Sequence, residues 1–186
     1  MPVQEVSTAE FASAADTDTP QGILAIAEIP NHTLSDLPEQ KTVRLVVLDA
    51  LQDPGNVGTI LRTGAALGAS AIVSLPGTVD LWNAKVVRSA MGAQFHHSCL
   101  VSTWDELDSF RRQQSISIWA ADASGDPLHG LRPPARLGIV VGNEGAGLSA
   151  LSRAHAERLV ALPLSRDVES LNVAVAAGIL LYELRQ

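Results

Sequence analysis

The chain has 186 residues, of which 46% are hydrophobic and 18% charged, and its net charge is −7. That balance describes one folded domain with room for a tail, and it excludes wholesale disorder. A single cysteine, Cys99, excludes a disulfide framework and a cysteine-built zinc cage, and no apolar run approaches the roughly 18 residues of a membrane span.

Residues 1–40 differ from the rest and read as a tail or linker. The stretch through Ala14-Ala15-Asp16-Thr17-Asp18-Thr19-Pro20 lacks the apolar surface to fold alone. Gly22–Ile29 is a candidate strand, followed by a polar loop through Pro30, Asn31 and Pro38. The folded domain is expected over residues 41–186. It opens with Val43–Leu48, a near-continuous apolar run typical of a strand buried on both faces. Asp53-Pro54-Gly55 makes a turn, Asn56 is placed as the N-cap of a helix reaching Leu67, and Gly68 supplies its left-handed stop. Ala71–Leu75 is a second strand, and Asn83–Ser89 is a short helix carrying Lys85 and Arg88. Thr103 and Glu106 have the spacing of a capping box for a helix to about Gln113. Ser115–Ala121, Leu137–Val141 and Leu159–Leu162 are further strands, with Ser149 capping a short helix before the last. A final helix begins near Asn172, with Val173, Ala177, Leu180, Leu181 and Leu184 on one apolar face. Alternating strands and helices predict an α/β fold, a mostly parallel sheet flanked by helices.

Three segments of loop-like composition directly follow predicted strands, where open parallel sheets place their ligands. The first, Leu48–Arg62, contains Asp53-Pro54-Gly55-Asn56-Val57-Gly58. The second, Val141–Ser149, contains Gly142-Asn143-Glu144-Gly145-Ala146-Gly147. The third, Leu162–Asn172, contains Pro163 and Ser170-Leu171-Asn172. Taken singly, the first can be a capped tight turn. The second orders its glycines G-x-x-G-x-G, unlike the G-x-G-x-x-G of a dinucleotide fingerprint, and lies late in the chain. Ser170 sits in no G-x-S-x-G elbow, which argues against a hydrolase nucleophile. His96, His97, His129 and Cys99 lack a further ligand at useful spacing, so no metal is expected. Trp82, Trp104 and Trp119 read as core or interface residues, because aromatics at 4% of the chain disfavour stacking platforms.

Together, in order and spacing, the three segments resemble the motifs of the SpoU/TrmH family of SPOUT RNA methyltransferases. Asn56, Gly58 and Arg62 look like its N-x-G-x-x-x-R motif. Gly142, Glu144, Gly145 and Gly147 look like its G-x-E-G-x-G loop. Pro163, Ser170, Leu171, Asn172 and Val173 are similar to its I-P-M … S-L-N-V motif, and Lys85–Ala93 resembles the basic helix between them. The resemblance covers about Val43 to the C-terminus. It implies a C-terminal deep trefoil knot, a topology that pattern alone never justifies. It also implies S-adenosylmethionine as cofactor, bent in the knot, RNA as partner, and a homodimer packed through the knot helices, with no membrane and no metal.

The activity implied is methyl transfer to a ribose 2′-hydroxyl of rRNA or tRNA. Cofactor contacts are expected at Gly142, Asn143, Gly147, Leu162 and Leu171. Gly142 permits close approach because it has no Cβ, and the two leucines can wall the adenine as well as pack the core. The implied catalytic set is Arg62, Asn56, Glu144, Ser170 and Asn172. Arg62 approaches the hydroxyl or its adjacent phosphate, which a guanidinium matches with two parallel bonds. A pKa above about 12 leaves little neutral guanidine for a general base, so positioning and stabilising negative oxygen is the favoured role. Asn56 orients Arg62 or the ribose, or caps its helix. Glu144 holds Arg62 or backbone amides. Ser170 and Asn172 fix the hydroxyl and the knot loop, although Asn172 can also cap the final helix. Lys85, Arg88, Arg153 and Arg166 are candidate phosphate contacts.

Arg166 departs from the pattern, since many relatives place glycine there, and a positive φ would strain an arginine. Thr19–Ala25 resembles the junction that precedes the catalytic domain in two-domain relatives, whose upstream part is a ribosomal-protein-like RNA-binding domain. Residues 1–40 are therefore expected to be the remnant of such a domain, and rRNA is expected over tRNA. The competing reading is a non-catalytic RNA-binding or ribosome-assembly module on the same fold, which would not bind the cofactor. The N-terminus lacks the pattern of a signal peptide, and the expected location is cytoplasmic.

Overall fold

The computed structural model describes residues 2–15, 19–165 and 167–185, and the chain divides into two units, residues 1–31 and 32–186. In the first unit, helix α1 (Thr8–Ala14) starts at a capping box in which Ser7 and Glu10 satisfy each other's backbone amides. The sequence reading assigned no helix here. The candidate strand at residues 22–29 takes no regular structure, and Ile23, Leu24, Ile26 and Ile29 are exposed. An apolar run supplies side chains for a strand, but only a ladder partner makes it one.

The second unit holds a six-stranded sheet among the described residues, in the order β3-β2-β1-β5-β4-β6, with every neighbouring pair parallel. Its strands are β1 (Val43–Asp49), β2 (Ala71–Ser74), β3 (Cys99–Val101), β4 (Ser117–Pro127), β5 (Arg136–Gly142) and β6 (Arg158–Ala161). The helices are α2 (Pro54–Ala66), α3 (Ala84–Ala90), α4 (Trp104–Gln113), α5 (Ala150–His155) and α6 (Val173–Glu183). Period-two alternation along the central strands splits the core in two. Val46 and Leu48 of β1 and Ile139 and Val141 of β5 pack in one cluster with α2, α3 and α6. Val43, Leu45 and Val47 face the other cluster with Trp104 and Leu107 of α4. Leu34, in a short 3₁₀ turn at Leu34–Asp36, is buried in this second cluster.

Several boundaries differ from the sequence reading. Asp53, not Asn56, caps α2: its Oδ1 accepts the Asn56 amide at 2.8 Å, and Pro54 occupies the first helical position. Proline suits that position because its missing N–H would have been unpaired anyway. The edge strand β3 was not anticipated, since three residues with an exposed Val101 carry no period to read. β4 runs on past Ala121 because its pairing with β6 resumes, after a bulge, at Asp126. Trp104 and Trp119 are buried, and Trp82 packs partly buried against the first cluster. Burial pushes the Cys99 thiol up to about 12, which makes it a poor nucleophile.

Helix α3 packs closely on the N-terminal half of α2. A Cβ on Gly58 would lie 2.4 Å from Ser89 Cβ and 2.7 Å from the Val86 carbonyl oxygen. Gly58→Ala should therefore force the helices apart and cost about 1–3 kcal/mol, read as a lower midpoint in urea denaturation.

Candidate active site

The sheet changes direction of winding at its centre. From β1 the chain moves outward to β2 and β3, then returns to build β4 and β5 on the other side of β1. The loops leaving the carboxyl ends of β1 and β5 consequently flank a crevice, the general ligand position in such sheets. A cleft of about 670 Å³ opens there, within the usual range for small-molecule sites. Its wall comes from Asn56, Ala121–Ala123, the glycine loop at Gly142–Gly145 and Gly147, and the segment after β6, including Leu162, Leu164 and Glu169–Val173.

Hydrogen bonds join the three loops. The buried Asp49 carboxylate at the end of β1 accepts the Ser149 amide at 2.7 Å, tying down the exit of the glycine loop. Glu144 accepts the amides of Gln52 and Asp53, each at 3.3 Å, and Asn56 Nδ2 at 3.1 Å. Asn56 Oδ1 in turn accepts Asn172 Nδ2 at 2.8 Å. Asn172 Oδ1 caps α6 by accepting the Ala174 and Val175 amides at 2.9 and 3.3 Å. Of the roles foreseen for Asn172 the helix cap is present, and the same side chain also reaches Asn56. Partial burial acts to raise the Glu144 carboxyl, but the bonds from Asn56, its own amide, Gln52 and Asp53 outweigh it and hold the group below 4.5.

Close approach of backbone shapes the second loop. A Cβ on Gly142 would come within 2.5 Å of the carbonyl carbon and oxygen of Gly147 and 2.6 Å of the Leu148 nitrogen. Asn143 and Gly147 exchange two backbone hydrogen bonds of 2.9 Å across this hairpin, and Gly147 holds φ +70.

Of the site residues expected from sequence, Asn56, Glu144 and Asn172 are bonded together, and Gly142, Asn143, Gly147, Leu162, Ser170 and Leu171 line the same cleft. Arg62 does not line it and stands exposed on α2. Glu144 holds backbone amides and Asn56. Arg153 pairs with Asp122 at 2.5 Å. Lys85 and Arg88 lie on α3 with exposed surface. Arg166, with the strain expected of it, lies outside the described residues. Sequence reasoning missed Gln52 and Asp53, whose contribution is main-chain. It also missed Asp122, held low by Ser124 and Arg153 against the opposing effect of burial, which no motif marks. The signal for Asp53 was present in the Asp-Pro pair, a common helix start.

The crevice, its glycine hairpin and its mixed lining define an α/β protein that binds a small molecule at the carboxyl edge of a parallel sheet. The sequence profile described as the SpoU rRNA Methylase family matches residues 44–182, and the chain belongs to that family. It is 39% identical to the 23S rRNA (guanosine(2553)-2′-O)-methyltransferase RlmP of Bacillus subtilis over 181 residues, 94% of this chain and 69% of the relative. It is 32% identical to the 23S rRNA (guanosine-2′-O-)-methyltransferase RlmB of Salmonella typhimurium over 171 residues, 88% of this chain and 70% of the relative. Among solved structures, the AdoMet-bound rRNA methyltransferase from Sinorhizobium meliloti superposes with a TM-score of 0.89 at 30% identity, covering 96% of this chain and 69% of that one. The AviRb SpoU methyltransferase from Streptomyces viridochromogenes, in complex with AdoMet, gives 0.80 at 29% identity, covering 84% and 62%. Family and fold together make this chain an S-adenosylmethionine-dependent RNA methyltransferase acting on a ribose 2′-hydroxyl.

Proposed function

We propose that the chain methylates a guanosine 2′-hydroxyl of 23S rRNA, in the cytoplasm and as a homodimer. The observation that carries this reading is the hydrogen-bonded chain Glu144–Asn56–Asn172, which draws all three motif segments to one cleft wall. When bound, S-adenosylmethionine supplies an electrophilic methyl group on a sulfonium. The cleft fits it: Val160, Leu162, Leu164, Leu171 and Ala176 offer apolar wall for an adenosine, and Asp122, Glu144 and Glu169 suit a cationic tail. Gly142, Gly147, Leu162 and Leu171 are the donor contacts in this reading, and Ser170 and Asn172 face the acceptor ribose. Arg62, on the exposed flank of α2, steers the RNA phosphate, for which two parallel bonds from a guanidinium are well matched.

Support for the dimer lies on α6. Val175, Ile179 and Tyr182 are exposed at helical spacing and, with Thr59, Thr63 and Leu67 of α2, line an apolar groove of about 520 Å³. Apolar stripes of this kind usually meet a partner. Support for the trefoil knot is that Leu162, Leu164 and Glu169–Val173, which follow edge strand β6, line one cleft with Ala121–Ala123 of β4 and the loop after β5, ahead of α6, which packs with α2. The catalytic domain in this reading is the second unit, residues 32–186, whose core includes Leu34. Lys85 and Arg88 supply further phosphate contacts.

The test incubates the protein with S-adenosylmethionine and unmodified 23S rRNA and maps sites resistant to alkaline hydrolysis, because a 2′-O-methyl blocks cleavage of the adjacent phosphodiester. One protected guanosine is expected. Protection on tRNA alone would move the substrate, and absence of donor binding in calorimetry would favour the assembly-module reading.

A further inference from the structure

One residue of the glycine loop, Asn143, lines the cleft with both ends of its side-chain amide bonded to main chain. Asn143 Nδ2 donates to the Ala50 carbonyl at 2.8 Å, while its Oδ1 accepts the amides of Gly145 and Ala146, both at 2.9 Å. Two N–H donors face one end of the amide and a carbonyl faces the other, so its orientation is dictated. The Asn143 amide is itself bonded to the Gly147 carbonyl. The backbone N–H of Asn143 and one of its two Nδ2 hydrogens are thus committed within the protein.

Its partner, Ala50, is unusual. It is the first residue after β1 and holds φ +58, a left-handed conformation that a Cβ disfavours. A Cβ added to Gly77 would lie 3.1 Å from the Ala50 Cβ, so the glycine at 77 leaves room for this reversal. Two and three residues beyond this reversal, the amides of Gln52 and Asp53 bond Glu144.

We propose that Asn143 is a positioning residue that holds Ala50 left-handed, so that Gln52 and Asp53 reach Glu144 and Glu144 can hold Asn56. Its importance for methyl transfer rests on the function proposed above, but its geometry does not. The side chain joins the glycine loop to the loop after β1 and acts through Ala50, without touching the donor.

Amide hydrogen exchange of the full chain, resolved by residue, tests this, since local exchange reports local opening. Asn143→Asp keeps the acceptor for Gly145 and Ala146 and loses the donor to Ala50. Exchange at Gln52 and Asp53 should rise at least tenfold while Gly145 and Ala146 stay protected. In Asn143→Ala both pairs should exchange faster. Adding Ala50→Gly to Asn143→Ala should restore protection at Gln52 and Asp53 alone, because glycine adopts the turn without strain. Calorimetry with S-adenosylmethionine runs alongside. A tenfold loss of donor affinity with unchanged exchange at Gln52 and Asp53 would make Asn143 a donor contact and overturn the proposal. Failure of Ala50→Gly to restore protection would do the same. Absence of donor binding by the unmutated protein would count against the proposed function and leave the exchange result standing.

Discussion

Glu144→Gln is expected to lower kcat about tenfold to hundredfold, with a smaller change in the KM for S-adenosylmethionine. The carboxylate takes three hydrogen bonds, from Gln52 N, Asp53 N and Asn56 Nδ2. A glutamine would set its own NH₂ against one of those donors, and losing a charged acceptor costs about 1.5–3 kcal/mol per bond when buried. Glu144 is exposed, so solvent moderates the loss, which is why a range toward the lower end of that energy is expected. Asn56 would lose its tether at one end and Asn172 at the other, displacing groups on the acceptor side more than on the donor side. The pH dependence supplies a second readout. The Glu144 pKa is lowered by folding, so its stabilising contribution is complete above the ordinary glutamate value and disappears as pH falls through the lower, folded-state value. Acid titration of the unmutated protein should therefore include a loss of stability below pH 4.5 that the glutamine variant lacks.

Gly142→Ala is the second large effect. Its Cβ would fall 2.5 Å from main-chain atoms of Gly147, and main chain cannot swing aside as a side-chain tip can. The Asn143–Gly147 hairpin must open. A stability loss of about 1–3 kcal/mol is expected, a drop in melting temperature of roughly 3–10 °C for a domain of this size. S-adenosylmethionine binding should weaken at least about a hundredfold, since displacement of a wall by an ångström has effects of that order. Calorimetry at a temperature well below the transition separates the two, and unchanged affinity would remove the glycine loop from the donor site.

The central strands and helix α4 could be read from the sequence because each carries its own signal. Val43–Leu48 is apolar throughout, and Thr103 with Glu106 states a helix start in four residues. The edge strand Cys99–Val101 could not, because it is too short for a period and exists only by pairing with β2. The site was legible as three loops, since each follows a strand and has an unusual composition. Its internal wiring was not. Asn56 is 88 residues from Glu144 and 116 from Asn172, and spacing gives no hint of which polar groups will meet. Local rules also misled at one point: Asn56 is an acceptable N-cap by type, yet Asp53 wins because Pro54 beside it starts the helix better.

The pairing of β1 with β5 has a consequence for biogenesis. Val43 lies beside Arg136, and Asp49 beside Gly142, so the innermost strand waits for a neighbour synthesised about ninety residues later. Ladders between such distant segments form slowly, and although β2 and α2 can cover one edge and one face of β1 early, its β5 edge stays open in the nascent chain. Chaperone demand during translation should therefore peak between emergence of β1 and emergence of β5, and a ribosome pause inserted in that interval should raise aggregation more than one placed after β6.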